Sequence, residues 1–105
     1  MIELGPILEG LIQRTTEGKL KWSRTVPHDR FVTSVDTIAV VIQVDLGGRY
    51  SLEILNEAGE TAESLEYRDA TAEQGLQLAR LFVLARRLAL NTEATLQKLA
   101  KALNV

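Results

Sequence analysis

The one histidine of the chain stands in a polar segment whose residue types can do acid–base chemistry. His28 follows Pro27 and precedes Asp29 and Arg30. A histidine titrates near neutral pH, and a neighbouring carboxylate can orient it as a general acid or base. No motif marks a nearby serine or threonine as a nucleophile, and a single histidine cannot build a histidine metal site. We therefore interpret the segment as a solvated turn, and expect no enzyme activity, catalytic residue, metal or cofactor.

The one tryptophan offers a second chemistry, because an indole ring can stack on a base, a sugar or another flat ligand. Trp22 stands near Lys21 and Arg24, but it shares the parity of Leu20 and Val26. That alternation predicts a core position instead. Binding of single-stranded nucleic acid favours several aromatic residues and a basic total, whereas this chain has 5% aromatic residues and a net charge of −2. We expect no nucleic-acid partner.

Two further patterns resemble ion-binding sites without matching them. The carboxylates of Glu57, Glu60, Glu63 and Glu66 suit a hard cation, but they lack the alternating aspartates and the glycine of a calcium loop. Gly47-Gly48 lacks the lysine and the following helix of a phosphate-binding loop. The chain has no cysteine, which excludes disulfides, thiolate ligands and a cysteine nucleophile.

Local signals predict the elements that must position these residues. Pro6 suits a first helical turn and Gly18 suits a helix end, which predicts a helix over about residues 5–17. Alternation over residues 19–26 predicts a strand with one exposed face. Residues 31–46 carry the strongest strand signal, and a change of parity between Ser34 and Thr37 predicts a bend or bulge there.

Glycines then predict two reversals of the chain. Gly47-Gly48 predicts a two-residue hairpin turn before a return strand over residues 49–55. Asn56–Gly59 predicts a type I turn that ends in a left-handed glycine. Residues 60–67 predict a short acidic edge strand.

Two cap signals predict one or two C-terminal helices. Thr71 and Gln74 have the spacing of a capping box, and Asn91-Thr92 marks a second start. The apolar stripe of the last helix comprises Leu96, Leu99, Ala100 and Leu103. These elements make one α+β domain over residues 1–105: an N-terminal helix, an antiparallel meander of three to four strands, and C-terminal helices packed on one sheet face.

The first of these C-terminal helices is apolar over much of its circumference. Leu76, Val83, Leu84 and Leu90 lie largely outside its main stripe. Such a helix is either central in its domain or shared with a partner. We therefore expect an interface on these four residues, with a homodimer or another protein as the partner.

The segment from Thr15 to Trp22 resembles the pattern Thr-x-x-Gly-Lys-Leu-x-Trp of a family of small uncharacterised bacterial proteins. The strand from Tyr50 to Ile54, the turn from Asn56 to Gly59 and the pair Arg86-Arg87 extend the resemblance to about two thirds of the chain. It implies an accessory protein, often encoded on mobile elements and without an assigned activity. It transfers no catalytic residue.

Composition bounds the remaining alternatives. A length of 105 residues suits one domain, and even the longest apolar runs, such as Ile38–Ile42, are too short to cross a bilayer. The N-terminus lacks the basic and apolar regions of a signal peptide, so we expect a cytoplasmic protein without a membrane partner. Our leading hypothesis is a non-catalytic, self-associating interaction module. The alternative is a small-ligand binder with a pocket between sheet and helices near Trp22, His28 and Arg30.

Overall fold

The sequence folds into a helix, an antiparallel sheet and two further helices. The computed structural model describes residues 3–25 and 29–105. Its helices and strands, in chain order, are α1 (Leu4–Thr16), β1 (Ser23–Thr25), β2 (Arg30–Val35), β3 (Ile38–Val44), β4 (Tyr50–Leu55), β5 (Thr61–Glu66), α2 (Ala72–Ala89) and α3 (Thr92–Leu103). Each strand pairs antiparallel with its neighbour in the chain. The α+β meander is confirmed, but the described residues form five strands, so the prediction of three to four was wrong.

The additional strand comes from a reversal that the sequence pattern did not reveal. The chain turns at Asp36 and Thr37, so that Val35 pairs with Ile38, where we expected only a bend or bulge. Asp36 has a φ of 58°, in the left-handed region that aspartate tolerates better than most residues. Because a two-residue turn leaves paired residues on the same face, the change of parity is explained by the reversal itself.

The first strand is shorter than the alternation predicted. Of the described residues in this stretch, Ser23–Thr25 pairs with β2, and the four residues before it lie outside the sheet. Val26, the last residue of the predicted strand, lies outside the described residues. Side-chain hydrogen bonds hold this segment against the body instead. The Trp22 indole N–H donates to the Thr15 hydroxyl at 3.0 Å, and the Thr33 hydroxyl donates to the Lys21 carbonyl at 2.7 Å. Alternation therefore marked burial correctly here but overestimated the length of the strand.

The loops β3–β4 and β4–β5 have the same backbone design. In Asp45–Arg49 and in Asn56–Glu60, the first residue's N–H donates to the fifth residue's carbonyl, at 3.0 and 2.8 Å. The fourth residue is a glycine with positive φ, 76° at Gly48 and 82° at Gly59. The turn predicted at Asn56–Gly59 is present. The two-residue turn predicted at Gly47-Gly48 is instead a wider loop with one left-handed glycine.

Helices α1 and α2 cover one face of the sheet. The buried core is built from both helices, the strands and the segment before β1, and comprises Leu8, Leu11, Ile12, Leu20, Trp22, Phe31, Val40, Ile42, Leu52, Leu65, Leu78, Leu81, Phe82 and Ala85. The Phe82 ring of α2 contacts Phe31 and Tyr50, with centroid distances of 5.4 and 5.2 Å. The sheet and the two helices thus form a two-layer body with one core.

The predicted capping box fixes the start of α2. The Gln74 N–H donates to the Thr71 hydroxyl at 3.1 Å, and the Thr71 N–H donates to the Gln74 side chain at 3.0 Å. These reciprocal bonds satisfy two backbone donors at the helix N-terminus. The residue at which α2 begins is therefore determined by its own sequence.

Helix α3 does not pack as the sequence suggested. We expected the C-terminal helices to cover one sheet face, but only α2 does so, and the main contacts of α3 are with α2. None of the residues Thr92–Leu103 is buried. The molecule measures 53 × 29 × 25 Å, and its radius of gyration of 14.7 Å exceeds the roughly 13 Å typical of this length. We infer that α3 projects from the body and accounts for this elongation.

Candidate functional site

Helix α3 carries an apolar stripe that its own domain leaves uncovered. We call Leu96, Leu99 and Leu103 the α3 seam. Their spacing places them on one face of the helix, and they are 47%, 53% and 62% exposed. An amphipathic helix normally buries such a stripe against its own domain. The α3 seam therefore has the pattern of a packed face without a packing partner in the described chain.

An ion pair joins α2 to α3 at the junction between them. Arg87 of α2 pairs with Glu93 of α3 at 3.1 Å. Between the helices, Asn91 has a φ of 54° and its side chain forms no capping hydrogen bond. Leu88, at the end of α2, is also 45% exposed, so an apolar side chain adjoins the base of α3. An exposed ion pair such as this one is worth less than about 1 kcal/mol.

The four interface residues predicted on α2 divide into two sets. Leu76 and Val83 lie on the solvent face of the helix and are 74% and 51% exposed. Leu84 and Leu90 are half-buried and pack against the core. The α3 seam was visible in the sequence as a stripe, but no sequence signal showed that it would stay uncovered.

Of the predicted ligand-binding residues, the structure describes Trp22 and Arg30, and it does not bring these two together. Trp22 is buried, and Thr15 accepts its N–H. Arg30 precedes the buried Phe31 on β2, so it lies on the opposite face of the sheet. His28 lies outside the described residues. A pocket that uses Trp22 would need the indole to leave the core.

The densest polar cluster lies where the β3–β4 loop meets the residues after β5. The pKa of Asp45 is lowered, chiefly because the Arg49 backbone N–H donates to its carboxylate, with a further bond from the Gly47 N–H. Arg49 Nη1 donates to the Tyr67 hydroxyl at 2.9 Å, and this bond contributes most to raising the pKa of Arg49. The Asp45 carboxylate and the Arg49 guanidinium are thus hydrogen-bonded to neighbouring groups. The cluster stabilises a loop and presents no free nucleophile or base.

Several clefts border α1. A groove of about 530 Å³ runs between α1 and α2, where Ile12, Leu76 and Arg80 contribute to its lining. A smaller cleft of about 320 Å³ lies between α1 and the sheet, and its lining is almost wholly aliphatic. Among the residues that the structure describes, no three metal-binding side chains gather at a common point. No helix in that part of the chain has the length and apolar character that crossing a membrane requires.

Comparison with known proteins adds no family to this description. The chain matches no protein-family model, and no curated protein or solved structure matches it significantly. The resemblance in its sequence to small bacterial proteins stays a prediction. The geometry of the chain is therefore the only basis for a functional proposal.

Proposed function

We propose that this protein is a non-catalytic interaction module that self-associates through the α3 seam. The observation that carries the proposal is the exposure of Leu96, Leu99 and Leu103 on a helix with no buried residue. Contiguous exposed apolar surface on a small protein is typical of an interaction site.

The stability of α3 supports the need for a partner. An isolated helix of 12 residues is marginal in water, because so short a helix barely offsets its nucleation cost. Most helices in proteins are stabilised by packing of their apolar face, and α3 receives little of that from its own domain. A partner that covers the seam would supply this missing packing energy.

The chemistry beside the seam favours a second copy as the partner. Thr95 and Ala100, which flank the seam, are small and uncharged. Lys98 and Lys101 each follow a seam leucine by two positions, which places them about 200° around the helix. Two seams can therefore meet without opposing like charges, as an isologous dimer requires.

The dipoles of two α3 helices further favour an antiparallel arrangement. Across a two-fold axis, antiparallel helices place the positive N-terminal end of one dipole beside the negative C-terminal end of the other. A parallel pair would bring like dipole ends together.

The expected dimer is weak. Full burial of a leucine stabilises by about 1.5–3 kcal/mol, and the seam leucines are already about half covered. The three leucines of each copy thus supply less apolar burial than a tight dimer needs, and we expect a dissociation constant well above the nanomolar range.

Light scattering on a sizing column over a wide concentration range tests the proposal. We expect the mass to rise from 11.6 kDa towards twice that value with concentration. Leu99→Glu should keep the chain monomeric, because it places a charge in the seam. A monomer at every concentration would overturn self-association.

Two matched variants locate the surface. Leu46 is a fully exposed leucine on the β3–β4 loop, outside the seam, so Leu46→Glu should leave the dimer intact. Leu76→Glu changes the solvent face of α2 and should also leave it intact. A dimer abolished by Leu76→Glu and retained by Leu99→Glu would move the interface from α3 to α2.

A further inference from the structure

The cleft between α1 and the sheet has the lining of a ligand site. Its volume of about 320 Å³ falls at the lower end of the range for small-molecule pockets. Aliphatic side chains from α1 and from β2, β3 and β4 surround it, with no aromatic ring among them; they are Ile7, Leu11, Val35, Ile38, Val40 and Ile54. Such a lining fits a flexible aliphatic chain better than a flat ring.

A glycine keeps the helix side of this cleft open. Gly10 lies within α1, where a glycine costs roughly 1 kcal/mol relative to alanine. Its backbone is not left-handed, and a Cβ built there would meet no atom within 4 Å. Neither conformation nor crowding within this chain therefore requires a glycine. A larger side chain at this position would extend into the space at the cleft.

One cation stands at the cleft. Arg14 is the only charged residue of its lining, and it is exposed. Within residues 3–25 and 29–105, Arg14 forms no ion pair with a carboxylate. An arginine presents a fork of donors that matches a carboxylate, so it can hold the polar end of a ligand whose chain lies in the cleft.

We infer that this cleft binds an aliphatic carboxylate of medium chain length. The chain lies against Ile38 and Ile54, and its carboxylate faces Arg14. The open side at Gly10 admits the ligand without a change in the fold. This site is separate from the α3 seam, so its occupancy does not depend on the proposed self-association.

NMR titration of the ¹⁵N-labelled full chain with octanoate, octanol and octylamine tests the inference. We expect saturable shifts at the amides of Ile7, Gly10, Ile38 and Ile54, with octanoate binding most tightly and octylamine most weakly. Leu99→Glu, which removes the proposed dimer, should bind octanoate equally well. A test in that variant therefore separates failure of the ligand site from failure of self-association.

Gly10→Leu should abolish octanoate binding, because the new side chain fills the opening. Gly75→Leu is the matched control, since Gly75 also lies in a helix with open space at its Cβ, but outside the cleft. Arg14→Gln should weaken octanoate about tenfold and leave octanol unchanged, which is the effect expected for a charge-assisted hydrogen bond.

Three results would overturn the site. Gly10→Leu could bind octanoate as the unmodified chain does, which would exclude the cleft. Octylamine could bind as tightly as octanoate, which would exclude recognition of the carboxylate. The shifts could centre on the α3 seam, which would show that the probe coats exposed apolar surface.

Discussion

Helices α2 and α3 carry similar apolar stripes but have opposite surroundings. In α2 the stripe of Leu78, Leu81, Phe82 and Ala85 is buried on the sheet. In α3 the seam stays about half exposed, because the helix begins beyond the sheet after the turn at Asn91. The difference lies in position and not in pattern. An amphipathic stripe shows that a helix has a face to cover, but it does not show what covers that face.

The N-terminal ends of the two helices also differ, because only that of α2 is capped by a side chain. Thr71 caps α2 through a reciprocal pair of hydrogen bonds, whereas Asn91 makes no side-chain cap for α3. Helix α2 is therefore supported at its start and along its face. Helix α3 depends on cover from elsewhere.

The largest expected difference is in the free energy of unfolding, when one leucine of each stripe is shortened to alanine. Leu81 is 0% exposed, so Leu81→Ala should lower the free energy of unfolding by about 2–5 kcal/mol. Leu99→Ala, measured in dilute monomer, should change it by less than about 0.5 kcal/mol. Urea denaturation followed by circular dichroism measures both values.

The dependence on protein concentration further distinguishes Leu81→Ala from Leu99→Ala. If α3 self-associates, the cost of Leu99→Ala should grow as the protein concentration rises, while the cost of Leu81→Ala should stay constant. Equal costs for both variants in dilute solution would mean that α3 is packed within its own chain, against the described geometry.

The helix caps predict a smaller effect. Thr71→Ala removes the acceptor for the Gln74 N–H and should destabilise the body by about 1 kcal/mol. Asn91→Gly should change stability by less than about 0.5 kcal/mol, because glycine tolerates the left-handed backbone and no cap bond is lost. Thermal melts of the two variants measure the difference. A larger loss for Asn91→Gly would show that α3 is anchored at its start.

The smallest expected effect is a pH dependence of folding stability, which arises in the two-layer body and not in α3. The pKa of Asp45 is lowered in the fold from an ordinary value of 3.8, so its contribution to stability is present above that pH. This contribution is lost as the pH falls through the lower pKa of the folded state. Asp45→Asn keeps an acceptor oxygen in the loop, as Asn56 does in the neighbouring loop, and should reduce the loss of stability at acid pH. Urea midpoints measured at mildly acidic and strongly acidic pH test it, and an unchanged pH dependence would contradict the role of this carboxylate.

Local signals predicted the fold where each residue determines its own backbone. The capping box at Thr71 and the left-handed Gly59 are of this kind, and both are present. The turn at Asp36 was missed because it has neither glycine nor proline, so its aspartate resembled one more polar residue of a long strand. The change of parity signals that reversal, but it fits a bulge in one strand equally well.

The candidate site was only partly predictable for a related reason. The sequence indicated excess apolar surface on the first C-terminal helix and placed the expected interface there, on Leu76, Val83, Leu84 and Leu90. Leu84 and Leu90 are half-buried against the core, while the less emphasised α3 stripe lies uncovered. Which stripe is covered depends on how far the sheet extends, and that follows from the number of strands. The aliphatic cleft gave no sequence signal beyond a glycine inside a predicted helix.

The meander order of the strands also has a kinetic consequence. Every strand pairs with its neighbour in the chain, and the loops after β2, β3 and β4 have only two to five residues. Bringing together residues close in sequence has a low entropic cost, so the hairpins can form early and independently. The packing of α2 on the sheet and on α1 joins distant parts of the chain. We therefore expect that docking of these two helices limits the rate of folding.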